Sequence, residues 1–298
     1  TERINMRNIM LSIEYDGGRY SGWQRLGKSE SNNSIENKII EVIKKMTNED
    51  IELFVGCRTE TGVHAYAQIA NFKTKSTLSI IEIKNYLNRY LPMDIAVTFV
   101  EEKPERFHST LNAKSKTYLY RIAIGDSPCV FTRKYSYYSF KQPDLSLMKS
   151  AATLFLGKHD FRDFSSVKKN KSTIREITSI DIKKTDKEIL ITITASDFLH
   201  NMARIITSTI LDIGLGQRQL SDIEDIFDLD NYDTIGSTPL SPDGLFLQKM
   251  ILNSPLGIIV FPQKIRSCPF FIFVSPIIIP FNLFIGCIIL SIFYFFNC

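Results

Sequence analysis

No Asp, Glu, Lys or Arg occurs over the 28 positions from Pro269 to Phe296, and residues 251–298 hold nine of the 21 Phe, three of the five Cys and only two charges, Lys264 and Arg266. A chain divided this way cannot fold as one evenly mixed globule. It reads as a polar body of 250 residues followed by an apolar tail. The body carries 34 basic and 32 acidic side chains. That near balance argues against a protein that coats nucleic acid indiscriminately, although a basic face fits inside a balanced total. The length suits one large domain or two intimate smaller ones, and excludes both disorder and a small fold that depends on staples. Cys57 and Cys129, the only cysteines of the body, form neither a disulfide framework nor a zinc pattern, so a reducing, cytoplasmic setting is expected. The start of the chain shows no secretory signal, because Arg19, Arg25 and many polar residues follow quickly.

Periodicity divides the body into strands and helices. Ile9, Leu11, Ile13 and Tyr15 alternate with Ser12 and Glu14, the pattern of a half-buried strand ended by Asp16-Gly17-Gly18. Asn33 and Glu36 have capping-box spacing ahead of Ile35, Ile39, Val42, Ile43 and Met46, which predicts a helix from about Ser34. Further strands are expected near 52–55, 67–72, 95–100, 118–124 and 189–195. Helices are expected over 145–156, ending at Gly157, and over 199–213, with Asp197 near its start and Gly214 just past its end. The expected fold class is α+β, with an antiparallel or mixed sheet flanked by helices. Two halves divide near 105, giving units 1–105 and 106–250, with 251–298 outside the fold. Lys168, Lys169 and Lys171 read most simply as a solvated loop.

Three stretches carry chemistry. Between two apolar strands, Gly56-Cys57-Arg58-Thr59-Glu60-Thr61-Gly62-Val63-His64 offers a carboxylate, a guanidinium, two hydroxyls and an imidazole in one strand-end loop. By composition alone this is a turn with a surface ion pair. Tyr118 and Tyr120 share a strand face, where they serve as packing residues or as a platform for a nucleobase. Arg204 stands in an apolar helix beside Met202, Ile205 and Ile206, so it either has a buried partner or snorkels to water. His64, His108, His159 and His200 share no metal-ligand spacing, and no metal is expected.

Six strings, YDGGRYSGWQR (15–25), CRTETGVHA (57–65), RFHSTLNAKSKTYLYRI (106–122), GKHDFRDF (157–164), FLHNMARIITSTILDIG (198–214) and SPDGLFL (241–247), occur in the order and at the spacing of the tRNA pseudouridine synthase A family. From Ile9 to Met250 the chain resembles that family. The resemblance implies the pseudouridine synthase fold, with two subdomains about an RNA-binding cleft. It implies a cofactor-free isomerase that detaches uracil from its ribose, turns it and rejoins it through a carbon in the anticodon arm of tRNA. It also implies a homodimer. A base in a structured arm must leave its stack first, which needs a pocket and an aromatic surface. By position in the motifs, Glu60 is the carboxylate that acts as nucleophile on the anomeric carbon or as base at its neighbour. Arg58 helps to flip or replace the target base, His64 lies with it on the substrate-binding loop, Tyr118 packs against the uracil and assists proton transfer, and Arg204 pairs with the carboxylate. Gly17, Gly18 and Trp23 are structural, the glycines supplying a tight turn.

The chain departs from the family pattern Arg-Thr-Asp-Ala-Gly-Val-His by carrying Glu60 for the aspartate and Thr61 for the alanine, and Thr110 stands where an arginine is usual. The added methylene moves the carboxylate oxygens by about 1 Å, which can cost on the order of a hundredfold in rate. Two functions follow as expectations: a tRNA pseudouridine synthase slowed by Glu60, or a non-catalytic tRNA-binding relative using the same cleft. The tail also has two readings. It is a membrane segment over 269–296, flanked by Lys264 and Arg266 and interrupted by Pro276 and Pro280, or it is the product of a lost reading frame in A/T-rich DNA.

Overall fold

A computed structural model describes residues 6–24, 33–166, 172–227, 236–254 and 257–260. The lysine-rich segment 168–171, Arg25 and the apolar stretch 269–296 lie outside the described residues. Along the chain come β1 (Arg7–Tyr15), α1 (Ile35–Thr47), β2 (Leu53–Val55), β3 (His64–Thr74), α2 (Ile80–Tyr90), β4 (Ile95–Lys103), β5 (Ala113–Ala123), β6 (Tyr137–Tyr138), α3 (Leu145–Leu154), β7 (Gly157–Asp160), β8 (Ile174–Lys184), β9 (Glu188–Ala195), α4 (Met202–Gly214), α5 (Ser221–Phe227), β10 (Leu245–Ser254) and β11 (Gly257–Val260). One mixed sheet runs in the order β4-β1-β3-β10-β5-β9-β8-β7, with β2 on β3, β6 on β5 and β11 on β10. Among the described residues no helix is long and apolar enough to cross a membrane.

The order of the sheet explains how the halves become one body. β4, β1 and β3 come from the first half, and β5, β9, β8 and β7 from the second. β10, almost last in the chain, lies between them. It pairs parallel with β3, placing Phe246 beside His64 and Leu247 beside Ala65, and antiparallel with β5, placing Leu247 beside Tyr118 and Leu245 beside Tyr120. Leu247, Met250 and Leu252 are fully buried and belong to a single core that takes in Ile9, Ile43 and Leu87 on one side and Ile191, Ile206 and Phe161 on the other. Burying such side chains stabilises by roughly 1.5–3 kcal/mol each, so β10 holds a large share of what joins the halves. The strand continues past 250 to Ser254 and β11 pairs back onto it, which carries the ordered sheet beyond the line drawn from composition.

Local signals explain most elements. Helix α1 begins as expected, but its cap is Ser34, whose side chain accepts from Asn37 N at 3.3 Å, one residue later than the Asn33–Glu36 spacing predicts. Helix α2 is absent from the sequence reading although Ser79 and Glu82 form a complete capping box there. Strand β8 is likewise absent from it. Its pattern is mostly exposed, because it lies toward the β7 edge, and the hydrophobic alternation is correspondingly weak.

β1 differs from a half-buried strand. Asn8, Met10 and Ser12 are buried as completely as Ile9, Leu11 and Ile13. On that second face Thr98 of β4 meets the Ser12 hydroxyl, and the connection after β4 meets Asn8. Asn8 Nδ2 donates to Phe107 O (2.8 Å) and Pro104 O (3.1 Å), Asn71 Nδ2 donates to Asn8 Oδ1 (2.9 Å), and Ser109 N donates to Asn71 Oδ1 (2.8 Å). Asn71→Ala strands two buried groups, so it is expected to cost about 2–4 kcal/mol, read as a lower urea midpoint at unchanged slope.

Candidate active site

The loop between β2 and β3 is fixed from below by buried polar groups. Gln68, fully buried on β3, receives Cys57 N on its Oε1 (3.3 Å) and donates Nε2 to Cys57 O (2.6 Å). The Tyr15 and Thr59 hydroxyls share a hydrogen bond of 2.7 Å, and Val63 N donates to Glu60 O at 3.2 Å to close the turn. The first motif then wraps the loop. A Cβ on Gly17 would lie 1.9 Å from Val63 O, and one on Gly22 would lie 2.7 Å from Thr59 O, with Trp23 N donating to that same carbonyl at 3.0 Å. Gly22, at φ 93°, is the glycine whose backbone requires the left-handed region, whereas Gly17 and Gly18 do not have positive φ. The tight turn expected of Gly17 and Gly18 is present, closed by Tyr20 N donating to Gly17 O at 2.9 Å, and Gly17 also makes the close approach to the loop.

On this frame Glu60 faces the start of α4. Arg204 Nη1 lies 3.1 Å from Glu60 Oε2, and the backbone N–H of Asn201 donates to Glu60 Oε1. Arg204 is itself held, its Nε donating to Leu240 O (2.6 Å) and its Nη1 to Asn201 Oδ1 (2.7 Å). The side chains of Arg204 and Glu60 are 15% and 18% exposed, so water reaches the pair only partly and its attraction is stronger than that of a surface pair. Leu240 stands just before the Ser241-Pro242-Asp243-Gly244 turn that leads into β10, so the seam strand also locates the arginine.

Tyr118 lies at the other side of the loop. Its hydroxyl is 3.2 Å from Cys57 Sγ, and its ring meets Phe198 edge-on at 4.9 Å. Burial, with the Cys57 thiol and the Glu60 carboxylate nearby, pushes the Tyr118 phenol well above its ordinary value, so the hydroxyl keeps its proton. Burial likewise raises the Cys57 thiol, which leaves it a poor nucleophile. Glu60, Arg204 and Tyr118, drawn from three distant parts of the chain, thus meet around one loop.

The other expected residues stand elsewhere. Arg58 is exposed, close enough to Glu36 of α1 to act on its carboxyl, which burial raises. His64 is 1% exposed and does not line the space beside Glu60. Its Nδ1 accepts from Gly17 N (3.1 Å) and lies 3.0 Å from Asp16 Oδ1, and its ring stacks on Phe246 at 4.7 Å. Thr110 is exposed, and its hydroxyl donates to Val55 O at 2.6 Å, just ahead of the loop. Asp197 does not cap α4. It takes the ammonium of Lys116 instead, and the helix begins at Met202 with Asn201 as its N-cap.

The sequence reading passed over Asn201, Gln68 and Lys116. Asn201 precedes Arg204 by three residues, a spacing that places the two side chains on one helix face. Gln68 and Lys116 carried no local signal, since their partners Cys57 and Asp197 are remote in sequence. Among the described residues no group of three or more His, Cys, Asp or Glu side chains converges as a metal site would require.

The pattern defining the tRNA pseudouridine synthase family matches residues 151–251. A protein of Bacillus sp. (strain KSM-64) named tRNA pseudouridine synthase A is 43% identical over 244 residues, which is 82% of this chain and 98% of that protein. The chain belongs to the tRNA pseudouridine synthase A family. Proteins named tRNA pseudouridine synthase A 2 are 41% identical to this synthase-family chain in both Bacillus cereus (strain ATCC 14579) and Clostridium perfringens (strain 13), each over 82% of it and 99% of the relative. Three of the six strings of this family member, those at 157–164, 198–214 and 241–247, fall inside the matched pattern; the loop with Glu60 precedes it.

One titration follows from His64. Burial holds its imidazole below the ordinary value of 6.5, against the opposing pull of Asp16, so the unfolded chain binds the proton more tightly than the native one. The associated stability is complete above pH 6.5 and declines as pH falls from there toward the lower native pKa. Melting temperature is expected to drop between pH 7.5 and 5.5, and His64→Phe is expected to flatten that slope, whatever its effect on the absolute value.

Proposed function

We propose that this chain isomerises uridine to pseudouridine in the anticodon arm of tRNA, with Glu60 as the reacting carboxylate. The observation that carries the proposal is the half-buried Glu60, gripped by Arg204 beside a protonated Tyr118, in a member of this family. The reaction breaks the bond from the ribose to a uracil nitrogen, forms one to a uracil carbon, and exchanges the proton on that carbon for one on the freed nitrogen, so product and substrate are isomers. Glu60 either attacks the anomeric carbon or removes a proton from its neighbour. Both steps need an aimed carboxylate, and the Arg204 guanidinium and the Asn201 amide hold its two oxygens. Tyr118 offers a ring to pack on the turned uracil and a hydroxyl that keeps its own proton, so it assists proton transfer by hydrogen bonding and not as a phenolate base. Arg58, exposed on the loop, enters the space left by a base taken out of its stack. His64 acts on the substrate only through the loop that it supports.

The working assembly is a homodimer in the cytoplasm, where tRNA and the reducing conditions that suit free Cys57 and Cys129 are found together. The alternative, a silent tRNA-binding relative, is favoured by one feature: the methylene that Glu60 adds to the family's aspartate. Mass spectrometry of unmodified tRNA incubated with the full chain separates them. Pseudouridine is expected with the wild type, and a fall of at least about a hundredfold with Glu60→Gln, which keeps the shape but not the charge. A silent wild type with an active Glu60→Asp would show that the methylene alone disables the site. Silence of both, with tRNA binding that weakens steeply in salt, would leave the binding reading standing.

A further inference from the structure

Asn201 has a backbone conformation that its place in the fold does not explain. At φ 63°, ψ 0° it is left-handed, and it shares positive φ with only one other non-glycine among the described residues, Asn48. Asn48 is accounted for locally: it ends α1, and its N–H closes onto Lys44 O. Asn201 begins a helix. An N-cap residue is normally extended and turns its side chain back to the first free amides, whereas Asn201 makes no such bond.

Its polar groups point to the ion pair and to what surrounds it. The backbone N–H donates to Glu60 Oε1, Oδ1 accepts from Arg204 Nη1 at 2.7 Å, and Nδ2 donates to Ser166 Oγ at 3.0 Å. Its carbonyl accepts the first helical bond, from Ile205 N at 2.9 Å. The turn that carries it is anchored on both sides. Asp197 receives the Lys116 ammonium, and Ser166 N donates to His200 O at 2.9 Å. A left-handed residue in an otherwise tightly tied turn is strained backbone kept for a purpose, and here the turned amide is the group that meets the carboxylate.

We propose that Asn201 is a positioning residue for the reaction: its left-handed backbone aims an amide at one oxygen of Glu60 while its side chain steadies Arg204 on the other. The carboxylate is thereby held from two directions, which fixes the longer glutamate side chain against the rotations its extra bond allows. An amide at the first turn of α4 also places the positive end of that helix beside the negative charge. The proposal rests on Glu60 being the reacting carboxylate.

Two substitutions separate the amide from the side chain. Glycine adopts the left-handed region freely and keeps the N–H, while a β-branched residue strongly disfavours it. Asn201→Val is expected to lower kcat by about 10- to 100-fold with KM for tRNA within about twofold, because aim is lost and binding is not. Asn201→Gly is expected to recover most of that loss. Equal falls in the two variants, or a loss carried by KM, would overturn the proposal. If Asn201→Val fails to melt cooperatively, Asn201→Ala makes the same comparison with Asn201→Gly. A second readout does not depend on turnover. The amide proton of residue 201 in a proton–nitrogen correlation spectrum is expected far downfield, and to move upfield in Glu60→Ala. An amide indifferent to Glu60 would refute the contact even in an active enzyme. A silent wild type with a responsive amide would refute the function and leave the contact standing.

Discussion

The insertion of β10 between β3 and β5 is the constraint on which the remaining structure depends. Without it the sheet would be two separate halves with open edges at β3 and β5, and the loop bearing Glu60 would have no fixed relation to Tyr118 or Arg204. The pairing sets three positions at once. Leu247 lies between Ala65 and Tyr118, which puts the tyrosine two strands from the end of the loop. The turn before β10 offers Leu240 O to Arg204 Nε, and Pro242 of that turn packs against Gly62. A strand from the end of the chain thus completes a site whose loop lies near residue 60.

Around that seam the polar groups are shared between scaffold and site. Gln68 holds the loop backbone and Tyr15 the Thr59 hydroxyl from the sheet, and Gly17 and Gly22 allow the first motif to close over the loop without side chains in the way. These contacts leave Glu60 the one carboxylate of the loop, pointed at α4 and half-buried. A cation in an apolar helix is costly without a partner, and the same partial burial that makes Arg204 expensive alone makes its attraction to Glu60 effective. The arrangement explains why the ordinary reading of Arg and Glu in a loop, a solvated surface pair, does not apply here.

Legibility varied with how local the signal was. β1, α1, β3, β4 and β9 each had a period of two or of 3.6 residues over a sufficient run, and each forms close to the expected span. β8 was hidden because an outlying strand with exposed positions lacks alternation, and Asn33 gave way to Ser34 as the cap because capping depends on backbone geometry that spacing alone does not specify. At the site, Glu60, Tyr118 and Arg204 were reachable through motif strings. Asn201 and Gln68 were not, since Asn201 acts by its own backbone amide on a side chain far off in sequence and Gln68 by bonds to the backbone of Cys57. His64 looked like a functional imidazole because it shares the loop's string, yet its ring turns under the loop toward Asp16 and Phe246.

The sequence by itself determined the family, the α+β class and the identity of the ionisable groups, because these follow from periodicity and from ordered strings that need no third dimension. It also determined that a charged body precedes an apolar stretch, a matter of composition alone. Only the tertiary structure decided which groups meet. Glu60 and Arg204 are 144 residues apart, and the contact between them arises from a strand pairing that joins the two halves. Only the structure, too, turned Asn201 left-handed, since that conformation is disfavoured locally and is sustained by long-range bonds to Glu60 and Ser166.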